Sequence, residues 1–351
     1  MNSETESTLE KPVVAARERE RNDVSTGQRI KRLVYRYGLL AVMALMIVYF
    51  SVAQPFFPSF INAMFILQAA SIVAVIGLGC TVSMTVGGFD LSVGSSMSLA
   101  VMASAGTMVI FDMGGVAAIF AGVAAGLAVG LFNSFLIVVA RIPDLVATLS
   151  TLFLINGLTL IGVNGQSIAK GMMFNGEPTT GEFSPIFEWL GSGKVLSIPS
   201  SVIVAGVIFV LVVVLLNYTR WGRAFYAVGG NPIAAAAAGI RVARYRLIAY
   251  LISGGLAAIA GIMLAARSNR GDVNVGDAFL LQAVSASLVG YAVLGANRPN
   301  AFGTLIGAVF VAVLINGLTM FNFPYYAQNF VQGLLLVIAL LMSYTLGPER
   351  R

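Results

Sequence analysis

About ten apolar stretches follow one another along the chain, and each is long enough to cross a bilayer as a helix. A transmembrane helix needs about 20 mostly apolar residues, because its backbone polar groups have to be satisfied inside the segment. The sequence therefore predicts an all-α, polytopic membrane protein with about ten transmembrane helices. We place the spans near residues 38–57, 62–87, 95–112, 114–140, 145–164, 198–217, 247–266, 279–296, 301–320 and 327–346.

The composition agrees with this class and excludes several kinds of chemistry. Hydrophobic residues make up 58% of the 351 residues and charged residues only 10%, whereas soluble domains average about 25% charged residues. Histidine is absent, which removes Ser-His-Asp, Cys-His and histidine-ligated zinc sites. Cys80 is the only cysteine, so an intrachain disulfide is excluded. We expect no enzyme activity, no bound metal and no cofactor.

The positive residues are distributed as membrane topology requires. With a cytoplasmic N-terminus, the inside segments hold Arg141, Arg298 and the loop 218–246, which carries five arginines and no acid. The outside loop 165–197 mixes lysines with glutamates. Lys and Arg thus concentrate on one side, as the positive-inside rule requires for an even number of spans. The net charge of +6 then reflects topology, with both termini cytoplasmic, and not a nucleic-acid surface.

The same pattern divides the chain into regions. Residues 1–36 are polar and alternate in sign, which predicts a disordered cytoplasmic tail. Residues 37–346 form the transmembrane domain, and residues 347–351 form a second cytoplasmic tail. The loop 165–197 faces the periplasm in this arrangement, and is either a flexible connector or a docking surface for a soluble partner. The loop 218–246 faces the cytoplasm.

The stretch 85–95 reads TVGGFDLSVGS and interrupts a long apolar run. A carboxylate there is costly, and non-helical backbone at membrane depth must line a cavity or be buried in protein; an ordinary turn capped by Asp90 is the alternative. The stretch resembles the Gly-Gly-Ile-Asp-Leu-Ser-Val-Gly-Ser signature of the ribose/galactose-type sugar permeases, with Phe89 in place of Ile. Those permeases are the membrane subunits of bacterial ABC importers. The resemblance marks as signature or pathway residues Gly87, Gly88, Asp90, Ser92, Gly94 and Ser95.

The basic loop 218–246 contains a second recognisable stretch, WGRAFYAVGGNP followed by IAAAAAGI. Asn231 can cap a helix with Pro232 at its first position, the alanines propagate it, and Gly239 can end it. Arginines that only anchor helix ends on anionic lipid are the alternative. The stretch resembles the segment through which these permeases contact their ATPase subunit, although Ile233 replaces an acidic residue often found there. The matching coupling residues are Gly222, Arg223, Tyr226, Gly229, Gly230, Asn231, Ala234, Ala235 and Gly239.

Polar side chains inside the apolar spans are candidates for the substrate pathway. Such side chains must pair with neighbours or face water, so interhelical hydrogen bonding is the alternative explanation for each of them. These residues are Gln68, Asn133, Asn156, Gln282 and Asn316. The resemblance covers roughly residues 60–346 and weakens at 272–303, where the glycines fit the family but its Thr-Ser pair is missing.

The chain contains no Gly-x-x-x-x-Gly-Lys-[Ser/Thr] phosphate loop, so we do not expect it to be its own ATPase. The resemblance implies an inner-membrane permease subunit that imports a monosaccharide or small polyol. Its partners would be a separate ABC ATPase, a periplasmic sugar-binding protein and a second permease subunit. A permease for branched-chain amino acids or nucleosides, or a stand-alone ion-coupled carrier, are the alternatives. We also predict that replacing Arg223 and Gly230 uncouples transport while the protein stays in the membrane.

Overall fold

The computed structural model describes residues 26–292, 298–324, 326–334 and 337. A π-helical segment, Phe135–Val139, extends α4, and residues 326–334 are also helical. Two antiparallel hairpins lie between α5 and α7, formed by β1 (Met173–Phe174) with β2 (Glu177–Pro178) and by β3 (Lys194–Val195) with β4 (Ile198–Pro199). The helices are α1 (Thr26–Ala53), α2 (Phe60–Thr85), α3 (Val93–Val109), α4 (Gly115–Ser134), α5 (Asp144–Gly162), α6 (Pro185–Ser192), α7 (Ser200–Tyr218), α8 (Arg220–Gly230), α9 (Pro232–Ala237), α10 (Val242–Ser268), α11 (Gly276–Ala292) and α12 (Ala301–Met320).

Six helices of the described chain are long and apolar enough to cross a membrane, namely α2, α4 with its π-helical extension, α5, α7, α10 and α12. Tyr37–Ala53 and α3 are shorter apolar helices. The predicted helical, polytopic class is confirmed, and the count of about ten spans stays a prediction. Most of the predicted span 327–346, residues 1–25 of the first tail and the tail 347–351 lie outside the described residues. Residues 26–36 belong to α1.

The helix α2 forms the core of the bundle. It is apolar all round, and Val75, Ile76 and Leu78 are fully buried, as expected for a helix surrounded by other helices. It packs against α7, α10, α11 and α12. By contrast, α4, α5 and α7 keep large apolar side chains exposed along one side. Such a side is typical of a helix that faces lipid. The stretch 85–95 therefore begins where a core helix ends.

The helices α4 and α10 approach each other through glycines. Gly122, Gly126 and Gly130 are spaced by four residues, so they share one face of α4. A Cβ at Gly130 would lie 2.6 Å from the Tyr250 carbonyl oxygen, and one at Gly126 would overlap the backbone of Gly254. Small residues at this spacing let membrane helices pack backbone to backbone.

Candidate functional site

The two stretches singled out by the sequence lie against each other at one end of the bundle. The helix α2 ends at Thr85 and α3 begins at Val93, and the chain between them faces α8. A cleft of about 680 Å³ opens at this junction. Its lining combines backbone of the break with aromatic and charged side chains, including Gly87, Gly88, Asp144, Tyr226, Arg246 and Arg298. The sequence indicated both stretches but not that they meet.

Gly229 and Gly87 form the contact between the two stretches. A Cβ added to Gly229 would overlap the Thr85 carbonyl oxygen and lie 2.8 Å from the Gly87 amide nitrogen. Gly87 adopts φ +76°, in the left-handed region that favours glycine. A Cβ added to Gly88 would overlap the Tyr250 hydroxyl. The glycines are therefore needed because backbone meets backbone and buried side chains here.

Asp90 lies at the centre of a buried polar network, with an exposed fraction of 1%. Its Oδ1 accepts hydrogen bonds from the Ser92 amide at 2.9 Å and the Ser92 hydroxyl at 2.7 Å. The Asn133 amide of α4 donates to Ser92 Oγ at 2.6 Å. Bonding to a backbone amide two residues ahead is what an Asp does in a tight turn. Asp90 therefore does form a turn of the kind given as the alternative, but this turn is buried and is hydrogen-bonded to α4 through Asn133.

The remaining signature residues belong to α3. The Ser95 hydroxyl donates to the Ser92 carbonyl at 3.0 Å and is fully buried. Gly94 faces α11, because a Cβ there would lie 2.8 Å from the Gly276 carbonyl oxygen. Gly94 therefore lets the start of α3 pack closely against α11, whereas Ser95 bonds within its own turn.

A second polar group beside the break involves residues that the sequence did not single out as site residues. Asp144, the first residue of α5, faces Arg246 of α10 with 3.8 Å between Oδ1 and the guanidinium. The Thr148 hydroxyl lies 3.1 Å from the Phe89 carbonyl oxygen, to which it can donate. Tyr250 is fully buried next to them. The sequence feature that could have indicated these residues is the position of Asp144 and Arg246, each at the end of an apolar span.

The residues predicted to couple to an ATPase lie in and next to two short helices joined at Asn231. Its Oδ1 accepts hydrogen bonds from the Ile233 and Ala234 amides, both at 3.0 Å, with Pro232 at the first helical position. Gly239 has φ +81° just after the end of α9. The predicted cap and helix end are confirmed.

The side chains of the two helices differ in what they contact. The Tyr226 hydroxyl of α8 donates to the Pro299 carbonyl at 2.8 Å, and the Arg298 guanidinium lies 4.9 Å from the Tyr226 ring centre. Burial raises the pKa of Tyr226, and the Arg298 charge opposes this rise. Gly222 packs against the Leu216 carbonyl, and Ala235 is buried. The predicted coupling residues that are exposed are Arg223, Gly230, Asn231, Ala234 and Gly239.

The five amide candidates are spread over the bundle, and none of them lines the cleft. Gln68 donates to the Gly191 carbonyl and Asn156 to Asp277 Oδ1, both at 2.9 Å. Asn316 exchanges two hydrogen bonds with Asn62, at 3.0 and 3.2 Å. Asn133 belongs to the Asp90 network, and Gln282 is half-buried in α11. For four of the five, the structure shows the hydrogen bonding that was the alternative explanation.

A bundle of apolar spans, with a basic two-helix segment packed against the chain between α2 and α3, defines a multi-pass helical membrane protein. Comparison with known proteins gives the family. Residues 62–340 match the family described as branched-chain amino acid transport system / permease component. The chain belongs to this family and is a multi-pass protein of the bacterial inner membrane.

Individual relatives are similar over nearly their full length. The ribose import permease protein RbsC of Escherichia coli (strain K12) is 32% identical over 312 residues, which cover 89% of this chain and 94% of that protein. The Bacillus subtilis (strain 168) protein of the same name is 32% identical, over 89% of this chain and 93% of its own. The L-arabinose transport system permease protein AraH of E. coli (strain K12) is 30% identical, over 89% and 91%. No solved structure matches the chain.

Proposed function

We propose that the chain is the permease subunit of an ABC importer for a monosaccharide or related small polyol. The observation that carries the proposal is the similarity, over about nine-tenths of the chain, to permeases named for ribose and arabinose. In this assignment the chain is not an enzyme and binds no cofactor, because a separate ATPase subunit hydrolyses ATP. A periplasmic binding protein delivers the sugar, and a second permease subunit completes the pathway.

The geometry supports a route by which the ATPase acts on the pathway. The α8–α9 segment presents the exposed Arg223 and Ile233, the latter with 82% of its surface accessible, and Arg241 is exposed just before α10. An apolar residue beside arginines suits the groove of a protein partner. Behind this surface, Gly229 touches Thr85 and Gly87. A displacement of α8 is then transmitted to the break at 85–95 without an intervening side chain.

The topology belongs to the same proposal. About ten spans with cytoplasmic termini place the loop 218–246 inside and the loop 165–197 outside. This arrangement puts the cleft, which is lined by Arg246 and Arg298, at the cytoplasmic end. The cleft is then the exit of the pathway, and Gly87 and Gly88 form part of its wall.

The test is co-purification of the tagged permease with its ATPase from native membranes. In the double variant Arg223→Glu with Gly230→Trp, we expect the amount of co-purified ATPase to fall by about tenfold or more. The first change reverses a charge at the proposed contact and the second adds a bulky side chain there. Both positions are exposed to solvent. A Cβ added to Gly230 would also meet no described atom within 4 Å. The variant should therefore remain folded in the membrane.

Arg141→Glu provides the matched control, since Arg141 is an exposed arginine outside the α8–α9 segment. It should keep the ATPase at the wild-type level. Full ATPase recovery and normal sugar uptake by the double variant would overturn the coupling assignment. Recovery of the wild-type permease alone, under conditions that preserve a control importer, would overturn the importer itself.

A further inference from the structure

The helix α6 has one buried and one exposed apolar face. Phe187 is fully buried, and a Cβ at Gly191 would overlap the backbone of Ala266 and Arg267 in α10. On the other side, Ile186 and Trp189 leave 61% and 49% of their surfaces exposed. These two residues are three positions apart, so they lie on the same face. The helix is therefore fixed to the bundle while it presents an isoleucine and a tryptophan outward.

The hairpin β3–β4 continues this apolar surface. Val195, Leu196 and Ile198 have exposed fractions of 42%, 93% and 42%. Leu196 and Ser197 form the turn with φ +49° and +69°, a conformation that Asn or Gly adopts far more readily. Leu196 therefore combines an unfavourable backbone conformation with an exposed apolar side chain. Neither cost is offset if the turn lies in water.

Hydrogen bonds hold the hairpin beside α6 and at the start of α7. The Ser200 amide donates to the Gly193 carbonyl at 2.8 Å, and the Ser200 hydroxyl to the Trp189 carbonyl at 2.6 Å. The helix α7 then carries Ile203, Val207, Leu211 and Val214 exposed along one face. Because α7 is a candidate membrane span, that face lies against lipid.

We infer that α6 and the β3–β4 hairpin form an interfacial anchor, seated in the headgroup region of the leaflet where α7 begins. The exposed residues Ile186, Trp189, Val195, Leu196 and Ile198 belong to α6 and the hairpin, and both α6 and β4 pack against α7. Tryptophan prefers this depth because its ring is apolar and its N–H is polar. Lys194 is exposed beside the turn, and its long side chain can reach the phosphates from there. The bilayer, and not a soluble protein, is the occupant.

The two tryptophans of the chain allow a direct measurement. In the Trp221→Phe variant, Trp189 is the only tryptophan. The full-length variant in nanodiscs, without any partner protein, should be quenched strongly by lipids brominated close to the headgroup. Lipids brominated at the end of the acyl chain, and acrylamide in the water, should quench it less. The reciprocal Trp189→Phe variant reports on Trp221 in the α8–α9 segment and is the control for non-specific lipid quenching.

A second measurement avoids the tryptophan substitutions. Cys80 is 1% exposed, so a nitroxide attached to the Leu196→Cys variant reports on the hairpin turn. We expect its collisions with oxygen to exceed those with a water-soluble nickel chelate, as at a lipid interface. Quenching of Trp189 by acrylamide but not by either brominated lipid, or a Leu196→Cys label reached mainly by nickel, would overturn the anchor. Shielding that appears only after addition of a soluble binding protein would overturn it as well.

Discussion

Gly229 and Gly230 are neighbours in the sequence, yet a methyl group added to each would meet opposite surroundings. At Gly229 it would overlap the Thr85 carbonyl oxygen, whereas at Gly230 it would meet no described atom. We therefore expect Gly229→Ala to lower the free energy of unfolding by about 1–3 kcal/mol, the usual cost of overpacking. Gly230→Ala should leave it unchanged. The measurement is the Tm of each purified variant in the same detergent.

Uptake in proteoliposomes extends this comparison to function. Gly229→Ala should also reduce uptake per folded molecule, since it pushes α8 away from the break. The proposed contact would be refuted if the two alanine variants had equal Tm values. The expected difference between the two variants comes from the packing of α8 against Gly87. The sequence motif contains both glycines and does not show which of them is in contact.

At the scale of elements, the paired amides of Asn62 and Asn316 join α2 to α12. A pair of interhelical amide hydrogen bonds in a membrane protein contributes about 0.6 kcal/mol on average and up to about 1.7 kcal/mol. We expect a double-mutant cycle of Asn62→Ala and Asn316→Ala to show a coupling free energy of this size. Thermal unfolding of the wild type, both single variants and the double variant provides the cycle.

The same variants test whether Asn316 lines the substrate pathway. If it acts only between helices, the folded Asn316→Ala protein should bind and move sugar at the wild-type rate. A large loss of uptake with no coupling free energy would return Asn316 to the pathway. Asn133 cannot be tested in this way, because it also supports the Asp90 network.

The lengths of the helices were largely predictable, since a run of apolar residues ends where it leaves the membrane. The predicted span 301–320 coincides with α12, and 145–164 and 198–217 differ from α5 and α7 by one or two residues. The loop 165–197 was less predictable. It contains α6, the β1–β2 hairpin and the first strand of the β3–β4 hairpin, and these two-residue strands are too short for a periodic pattern to show. Their positions depend on tertiary contacts such as Gly191 against α10.

For the molecule as a whole, we predict that uptake depends on ATP and survives collapse of the proton gradient. Of the acids near the break, the buried Asp90 accepts hydrogen bonds from Ser92 through Oδ1, and the half-buried Asp144 pairs with Arg246 through Oδ1, so both take part in structural contacts. A proton-coupled carrier needs acids that can take up and release protons along its path. The measurement is uptake of labelled ribose and arabinose into vesicles with a protonophore or with ATP depletion.

Leucine should not compete in this assay if the substrate is a sugar. Uptake abolished by the protonophore while ATP is maintained would contradict the importer assignment. Competition by leucine would instead favour the amino-acid alternative.

The organisation of the site could be inferred from the sequence only in part. Each motif was visible because glycines, an acid or a capping residue interrupted an apolar background. Their meeting was not visible, since the stretch 85–95 and the loop 218–246 are separated by several spans. Asp144, Arg246 and Tyr250 become relevant only when α5 and α10 are packed around the break. Each motif is contiguous in the sequence, whereas the cleft forms only when several helices pack together.

The glycine contact between α4 and α10 has a consequence for how the protein moves. Side chains that interdigitate can change rotamer and slide, but Gly126 and Gly254 meet through their backbones and have no second arrangement nearby. We expect the two helices to move together as one rigid body. The relative rotation of any switch in access then has to occur elsewhere, and the short non-helical chain between α2 and α3, which α8 contacts directly, is the joint that we propose for it. A force applied at α8 is then delivered to that joint rather than dissipated by shearing the bundle.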